Sequence, residues 1–175
     1  MAKLLKGQFV AETEEAPSLL QSGFGKNSQD GVILHPLEAA YLCELSLLEI
    51  NDSKKKMNVS EILKKFKTTS SSKSAGKLPN AKEQFELYSQ LRSGGRMVRF
   101  NLHSPQYWRV YAKGVGREQE RAQVLLRLIT SDWKSSVVSL NREISVARQL
   151  RMELVLAFME KGQPAFVKVN KFNLD

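Results

Sequence analysis

The fold is decided by residues 136–169, SVVSLNREISVARQLRMELVLAFMEKGQPAFVKV. The first half predicts a helix that opens at Ser136 or Ser139, since both residue types cap helices well. Apolar residues recur there at helical spacing: Val137, Leu140, Ile144, Ala147 and Leu150. The second half predicts two strands, Leu154–Met159 and Ala165–Val169, with a turn between them.

The residues just before this stretch predict a further helix and three further strands. The helix covers Ala81–Ser93, with an apolar face of Phe85, Tyr88 and Leu91, and Gly94-Gly95 ends it. The strands are Arg96–Leu102, Tyr107–Tyr111 and Val124–Ile129. The order α-β-β-β-α-β-β predicts a mixed sheet flanked by helices.

The first half of the chain predicts a smaller unit of mixed structure. Its strands are Leu4–Ala11 and Gly31–Leu34. A helix begins at Pro36 and its apolar face is Leu37, Tyr41, Leu45 and Leu48. Asn51–Lys56 ends that helix, and Ser60 is expected to cap the next one, which contains Ile62, Leu63 and Phe66.

A Ser/Thr-rich segment, Thr68–Gly76, predicts a loop between the two halves. We therefore expect an α/β (α+β) protein with two domains, residues 1–75 and 82–175, and a boundary near residues 70–82.

Composition indicates a chain that buries a core, since 42% of its 175 residues are hydrophobic and 26% are charged. The longest apolar stretch, Leu154–Met159, is far shorter than the roughly 20 residues that span a bilayer. No signal-peptide core follows Met1, and the single cysteine, Cys43, excludes a disulfide framework. These features lead us to expect a soluble cytoplasmic protein that has no membrane partner.

Positive charge is concentrated in the second half of the chain. Residues 1–80 hold 11 Lys, no Arg and 9 acids, whereas residues 81–175 hold 10 Arg, 6 Lys and 9 acids. The net charges are therefore +2 and +7. Arginine binds phosphate through a planar, bidentate fork, so this segregation favours a polyanionic partner. The alternative is a surface rich in ion pairs.

The sequence resembles archaeal tRNA-splicing endonuclease subunits along nearly its whole length. In the first half the resemblance is carried by Gly23–Lys26 and Leu34–Leu42. In the second half it is carried by Tyr88–Gly95, Arg109–Tyr111 and Ser131–Trp133, followed by the helix that leads to Arg151, Leu154 and Ala157. The resemblance implies an N-terminal domain of this family and a C-terminal nuclease-like domain.

Enzymes of this family cut precursor tRNA by attack of a 2′-OH on the adjacent phosphate, which leaves a 2′,3′-cyclic phosphate. The reaction needs a base, an acid and a cation beside the phosphorane, and the family uses Tyr, His and Lys for these roles. In this chain the corresponding positions are Tyr111, Arg121 and Met152. Tyr111 matches the family, although a tyrosine on a sheet is equally often a packing residue.

The other two positions depart from the family. The guanidinium of Arg121 does not give up a proton at neutral pH, and Met152 carries no charge. A shift of alignment does not restore either group, because both histidines, His35 and His103, precede Tyr111 and residues 143–160 contain no lysine. Ser145 stands where catalytic members have an arginine that grips the RNA. The site is therefore expected to be degenerate.

Two groups of surface residues are expected to contact partners. Five arginines at helix ends, turns or strand starts are candidates for RNA binding: Arg92, Arg96, Arg99, Arg117 and Arg121. Arg109 and Arg127, in mid-strand, are expected to be packed or ion-paired. The final strand is expected to lie at a sheet edge, where it can pair with another subunit. The residues expected at this subunit interface are Glu160, which precedes the turn, and three residues of the strand: Phe166, Val167 and Val169. In the family that turn is acidic, whereas here Lys161 follows Glu160.

These features predict a non-catalytic structural subunit of a heteromeric tRNA-splicing endonuclease, which positions a homologous catalytic subunit and precursor tRNA in a two-plus-two assembly. Two alternatives stay open: a stand-alone nucleic-acid-binding module on an inactive nuclease fold, and a nuclease that uses Tyr111 and Arg121 by an altered route. We expect no metal or cofactor, since two histidines and one cysteine do not make a zinc site of the usual ligand count.

Overall fold

A computed structural model describes residues 1–5, 7–12, 14–53, 55–66, 77–101, 104–114 and 121–171. The described residues form two compact units, one that comprises residues up to 66 and one that comprises residues from 77 onward. None of the helices in these ranges combines the length and the apolar character needed to cross a membrane.

The N-terminal unit alternates short strands with three helices in its described residues. The strands are β1 Ala2–Leu5, β2 Gln8–Ala11, β3 Lys26–Ser28, β4 Gly31–Leu34, β5 Ile50–Asp52 and β6 Lys55–Lys56. The helices are α1 Ala16–Gln21, α2 Pro36–Glu44 and α3 Val59–Lys65. The strands pair in the order β3-β4-β2-β1-β5-β6.

Only one strand pair in this described sheet is parallel. β1 pairs with β5 in parallel, with Ala2 opposite Ile50, and every other neighbouring pair is antiparallel. A parallel pair needs a long connection between its strands, and α2 lies within that connection. The core of the unit is made of fully buried apolar side chains: Phe9, Val32, Leu37, Leu42, Ile50 and Ile62.

Helix α2 is fixed at its start by a reciprocal cap. The His35 Nδ1 accepts a hydrogen bond from the backbone N–H of Leu37 at 3.3 Å, and Glu38 Oε2 accepts one from the backbone N–H of His35 at 2.8 Å. Pro36 at the first helical position has no N–H to satisfy. The His35 ring also meets the Phe66 ring edge-on at 5.2 Å. Burial lowers the pKa of His35 to about 3.

Three predictions for this unit are wrong. The single strand predicted over Leu4–Ala11 is a hairpin of β1 and β2, because Gly7 adopts a φ of +80° that turns the chain. The helix from Pro36 ends at Glu44, so Leu45 and Leu48 lie beyond it. The third helix is capped by Asn58 and not by Ser60, since the Asn58 side chain accepts from the Glu61 N–H at 2.9 Å.

Four further elements of the described unit were not predicted. Helix α1 and strand β3 were missed, and the short strands β5 and β6 lie where Asn51–Lys56 was expected only to end a helix. Both strands are too short to show alternation of apolar and polar residues.

The second unit has the predicted order of elements. They are α4 Ala81–Ser93, β7 Arg96–Phe100, β8 Tyr107–Lys113, β9 Val124–Leu128, α5 Val137–Gln149, β10 Glu153–Glu160 and β11 Gln163–Val169. In the described residues the strands pair in the order β11-β10-β9-β8-β7, with β9 and β10 parallel and the other neighbours antiparallel. The mixed sheet flanked by helices, and with it the α+β fold class, is confirmed.

The two helices cover opposite faces of this sheet. On one face the Tyr88 ring of α4 lies 6.3 Å from the Trp108 ring and 5.5 Å from the Phe100 ring. On the other face α5 contributes Ile144 and Ala147 to a buried cluster with Leu125 and Leu154. Successive side chains of a strand point to opposite faces, so β8 sends Trp108 to α4 and Tyr107 to α5.

Most details predicted for this unit are confirmed. Helix α4 has the predicted bounds and buries Phe85, Tyr88 and Leu91. The Ser136 hydroxyl caps α5, accepting from the Ser139 N–H at 3.1 Å. Two predicted members of the apolar face of α5 are instead exposed, Val137 by 75% and Leu150 by 39%, because the buried contact of α5 with the sheet centres on Ile144 and Ala147. The loop predicted at Thr68–Gly76 lies outside the described residues, and the domain boundary near residues 70–82 stays a prediction.

The cap of α2 predicts a defined loss of stability in acid. The folded-state pKa of His35, about 3, lies below the ordinary 6.5, so between these pH values only the unfolded chain binds the proton. The contribution of unprotonated His35 to the free energy of unfolding is therefore complete above pH 6.5 and falls as the pH drops toward 3. Between these pH values the free energy of unfolding should change by up to about 1.4 kcal/mol per pH unit through this group.

Urea unfolding measured at several pH values should show this slope in the natural chain and its reduction in His35→Asn. Asparagine is a matched cap because Asn58 and Asn80 cap α3 and α4 in the same way without titrating. The difference in slope between the two proteins is the readout, since loss of the ring contact with Phe66 lowers the stability of the variant at every pH. Equal slopes would contradict the assignment to His35.

Candidate functional site

The backbone of Gln123 joins the three positions that the sequence resemblance assigns to the family's catalytic residues. The Gln123 N–H donates to the carbonyl of Val110 at 3.1 Å, and the Gln123 carbonyl accepts from the N–H of Glu153 at 2.8 Å. Tyr111 directly follows Val110, Arg121 lies two residues before Gln123, and Met152 directly precedes Glu153. The fold thus brings Tyr111, Arg121 and Met152 to one end of the sheet.

The three side chains at this end have different surroundings. Tyr111 is half-buried and lies on the same face of β8 as Tyr107, the face that α5 covers. Arg121 is exposed. Met152 packs against the cluster of Leu125, Ile144, Ala147 and Leu154, and its N–H donates to the Ala147 carbonyl at 2.8 Å. Met152 is therefore part of the packing between α5 and the sheet.

This arrangement supplies a phenol, a guanidinium and a thioether, and it includes neither an imidazole nor an ammonium. A guanidinium can stabilise a phosphate oxygen, yet it cannot donate its proton to a leaving alkoxide. The thioether of Met152 contributes no charge at the position where the resemblance predicts the family's lysine. The three predicted catalytic positions thus lie close together. Two of them, Arg121 and Met152, lack the acid and the ammonium expected there.

A pair of arginines faces one another across neighbouring strands near this site. Arg99 of β7 and Arg109 of β8 are directly opposite in the register, so both side chains lie on the α5 face. Arg109 is exposed and lines a cavity together with Arg142 of α5. The expectation that Arg109 would be packed or ion-paired is wrong, since the described residues give it no ion pair. Like charges directly opposite on a sheet are destabilising, which makes this surface attractive to an anion.

The other arginines predicted to bind RNA are spread along the second unit. Arg92 is half-buried at the end of α4, and its guanidinium donates to the Arg96 carbonyl at 3.3 Å. Arg96 is exposed at the start of β7. Arg117 lies outside the described residues, as does His103. Their roles in RNA binding stay predictions.

Arg127 is buried and ion-paired, as predicted from its position in mid-strand. It is 7% exposed and forms an ion pair with Glu143 of α5. Its guanidinium carbon lies 4.8 Å from the centroid of the Trp133 ring and 5.8 Å from that of Tyr107, within the range of cation–π attraction. The pair leaves two buried atoms without a hydrogen-bond partner among the described residues, Arg127 Nε and Glu143 Oε2.

The final strand β11 is the outermost strand of the described sheet. It pairs with β10 on one side, with Ala157 opposite Phe166 and Leu154 opposite Val169. Val169 packs against the α5 cluster, whereas Phe166 is 37% and Val167 48% exposed. Glu160 is exposed at the end of β10. The expected edge position is confirmed, while the role of these residues as a subunit interface stays a prediction.

Metal-binding residue types are not clustered in the described parts of the chain. No group of three or more histidine, cysteine, aspartate and glutamate side chains lies close enough together there to hold a metal ion.

Comparison with known proteins finds a family-model match in the first unit and sequence similarity over most of the chain. Residues 1–63 match the family model of the tRNA intron endonuclease N-terminal domain. The tRNA-splicing endonuclease of Thermococcus kodakarensis is 27% identical over 138 residues, which cover 79% of this chain and 76% of that protein. The chain is similar in sequence to archaeal tRNA-splicing endonucleases. The resemblance that the sequence motifs indicated is therefore confirmed.

Two other relatives extend the similarity over more of the chain. The tRNA-splicing endonuclease of Pyrococcus horikoshii is 26% identical over 152 residues, which cover 84% of this chain and 80% of that protein. That of Pyrococcus furiosus is 26% identical over 166 residues, which cover 91% and 88%. The similarity to these tRNA-splicing endonucleases thus includes the sheet that carries Tyr111, Arg121 and Met152.

The packing of Met152 predicts that its replacement affects stability. Met152→Ala should lower the free energy of unfolding by about 1–2 kcal/mol, below the full range for a buried methionine because the residue is only half-buried. Arg121→Ala, at the neighbouring exposed position, should change it by less than about 0.5 kcal/mol. Urea unfolding at neutral pH followed by the fluorescence of Trp108 and Trp133 measures both. An equal effect of the two substitutions would show that Met152 is not a packing residue.

Proposed function

We propose that this chain is the non-catalytic structural subunit of a heteromeric tRNA-splicing endonuclease, acting in the removal of introns from precursor tRNA. The observation that carries the proposal is the meeting of Tyr111, Arg121 and Met152 around Gln123. Their proximity supports the proposal, because these are the positions where the resemblance expects a catalytic site and they hold neither the acid nor the ammonium that the family's chemistry needs. In this proposal residues 1–75 are the N-terminal domain and residues 82–175 the nuclease-like domain.

A subunit of this kind requires a homologous partner that retains the catalytic residues. We propose a two-plus-two assembly in which the partner cuts and this chain positions both the partner and the RNA. Support for an RNA-facing role comes from the exposed Arg109 and Arg142, which line one cavity, and from Arg121 at the end of the sheet. The same arginines would serve a stand-alone nucleic-acid-binding module, which is the alternative function.

The first test is cleavage of precursor tRNA by the purified chain. The chain alone should leave the RNA uncut, because each missing acid–base group contributes about 10²–10⁴-fold to the rate. Addition of the homologous catalytic subunit should restore cutting, and gel electrophoresis of labelled RNA measures both reactions. The product ends should carry 2′,3′-cyclic phosphate.

A Tyr111→Phe variant of this chain serves as the matched control. It removes one hydroxyl at the degenerate site, so the reconstituted complex should cut at an unchanged rate. Cleavage by the natural chain alone, abolished by Tyr111→Phe, would establish the altered catalytic route instead. RNA binding without any complex formation would establish the stand-alone module.

The edge strand β11 is the surface that we propose for the partner. Its outer edge leaves backbone N–H and C=O groups for another strand to pair with, and Phe166 and Val167 add exposed apolar side chains beside it. Glu160 lies at the hairpin end next to this edge. Lys161 follows it in the turn, so this hairpin tip presents both charge signs.

The double variant Phe166→Asp/Val167→Asp should lower the mass of the complex with the catalytic subunit, as light scattering measures it. The two introduced carboxylates would lose their water when a partner strand pairs with β11, and that loss is costly. The matched control is Val137→Asp/Val138→Asp on α5, where the natural residues are 75% and 79% exposed and lie away from the edge. Circular dichroism verifies that both variants fold. An unchanged mass for the edge variant would exclude β11 as the interface.

A further inference from the structure

A cavity of about 360 Å³ lies between strand β8 and helix α5, on the face of the sheet away from α4. Arg109 of β8 and Arg142 of α5 both line it, and both are exposed. The acidic residue among its described lining residues, Glu143, is paired with Arg127. No carboxylate in the described ranges forms an ion pair with Arg109 or Arg142. The positive charge at the cavity therefore favours an anionic ligand.

The rest of the cavity is largely apolar. Val146 and Leu150 form its wall on α5, and these aliphatic side chains are 43% and 39% exposed. Tyr107 and Leu125 line the cavity from the sheet. The volume lies within the range of small-molecule sites, roughly 300–1,000 Å³. A ligand that fills this cavity therefore needs a flat or apolar part next to its negative charge.

The same face of β8 leads from the cavity to the degenerate site. Alternate residues of a strand share a face, so Tyr107, Arg109 and Tyr111 lie in one row. Leu150, in the wall of the cavity, lies two residues before Met152. The cavity thus lies along the same strand as Tyr111, the position where the resemblance expects part of the family's RNA-cutting site.

An unpaired nucleotide of RNA has the two parts that fit this cavity. Its base is flat, and its phosphate is negatively charged at neutral pH. RNA-binding proteins hold unstacked bases against apolar and aromatic side chains, and the fork of an arginine pairs with phosphate. In double-stranded RNA the bases are stacked inside the helix, so a duplex would contact the arginines and leave the apolar wall unused. The combination therefore favours single-stranded RNA over a duplex.

We propose that the cavity between β8 and α5 binds unpaired nucleotides of RNA. The bases would lie against Tyr107, Val146 and Leu150, and the phosphates would meet Arg109 and Arg142. Every base has a flat face, so this mode of binding tolerates different sequences. The inference rests on the proposed function in taking the ligand to be RNA, and it adds that this chain holds a single-stranded part of the substrate.

The test compares two fluorescently labelled RNAs with the same number of phosphates. One is a single strand of repeated uridine, and the other is a fully paired hairpin closed by a linker without nucleotides. Fluorescence anisotropy measures the affinity of the full-length chain for each RNA across salt concentrations. The single strand should bind at least about fivefold more tightly, which is the contribution of one stacked base.

Substitution of the arginines tests the phosphate contact. Arg142→Gln should reduce the slope of log affinity against log salt concentration by about 0.7, and addition of Arg109→Gln should double that loss, because each contact with a single strand releases condensed counterions. Arg148→Gln is the matched control on α5 and should leave the slope unchanged. Arg148 is exposed, does not line the cavity, and donates to the carbonyl of Lys171 at 3.3 Å.

Substitution of the apolar wall tests the base contact. Val146→Ser/Leu150→Ser should bring the affinity for the single strand to that for the hairpin while the salt slope stays the same. The matched control is Val137→Ser/Val138→Ser, because these residues of α5 are more exposed and do not line the cavity. Circular dichroism verifies that all the variants fold.

Two results would overturn the inference in favour of a general attraction of RNA to a basic surface. One is equal binding of the two RNAs by the natural chain, and the other is a loss from Arg148→Gln as large as that from Arg142→Gln. A third result would assign the cavity to an acidic segment of the catalytic subunit and would also overturn the inference. In that case the methyl NMR signals of Val146 and Leu150 would respond to the catalytic subunit and not to the uridine strand.

The titration needs neither the catalytic subunit nor cleavage, so its failure is distinguishable from that of the proposed function. Restored cutting without a preference for the single strand would leave the proposed function standing and remove this inference alone. A preference for the single strand without any complex formation would support this inference and remove the role as a structural subunit.

Discussion

The parallel pairing of β9 with β10 is the constraint on which the second unit depends. Parallel neighbours cannot be joined by a tight turn, so the chain must cross back over the sheet, and α5 makes that crossing. The crossing returns the start of β10 to the start of β9, which places Met152 beside Arg121 and Tyr111. It also leaves β8 only partly covered by α5, and the cavity with Arg109 and Arg142 lies in the space between them.

The Arg127–Glu143 pair fixes where α5 lies on the sheet. Removing one partner of a buried ion pair typically costs about 3–5 kcal/mol, because the other charge is left without compensation. A hydrophobic pair at the same positions would hold the helix as well or better, so stability alone does not account for the charges. The rings of Trp133 and Tyr107 pack against the Arg127 guanidinium and hold it in place.

The parts of the fold that local sequence governs were predictable, and the parts that tertiary contacts govern were not. Helix α4 has an apolar stripe and glycines at its end, so its bounds follow from Ala81–Ser93 alone. The hairpin at Gly7 was missed because a single glycine within a predicted strand does not reveal its φ. Arg109 was misjudged because its burial depends on how far α5 extends over β8. The three predicted catalytic positions came only from the family resemblance. No sequence pattern around Met152 or Arg121 indicates that they lie near Tyr111.

The open edge of β11 has a consequence for how the cell must supply this chain. A strand that offers unpaired backbone groups beside exposed Phe166 and Val167 associates with whatever complementary strand it meets first, including one from another copy of itself. In the proposed heteromeric complex, chains made in excess of the catalytic subunit would therefore associate with one another through this edge. Under that proposal the two subunits have to be synthesised at the same time and in equal amounts.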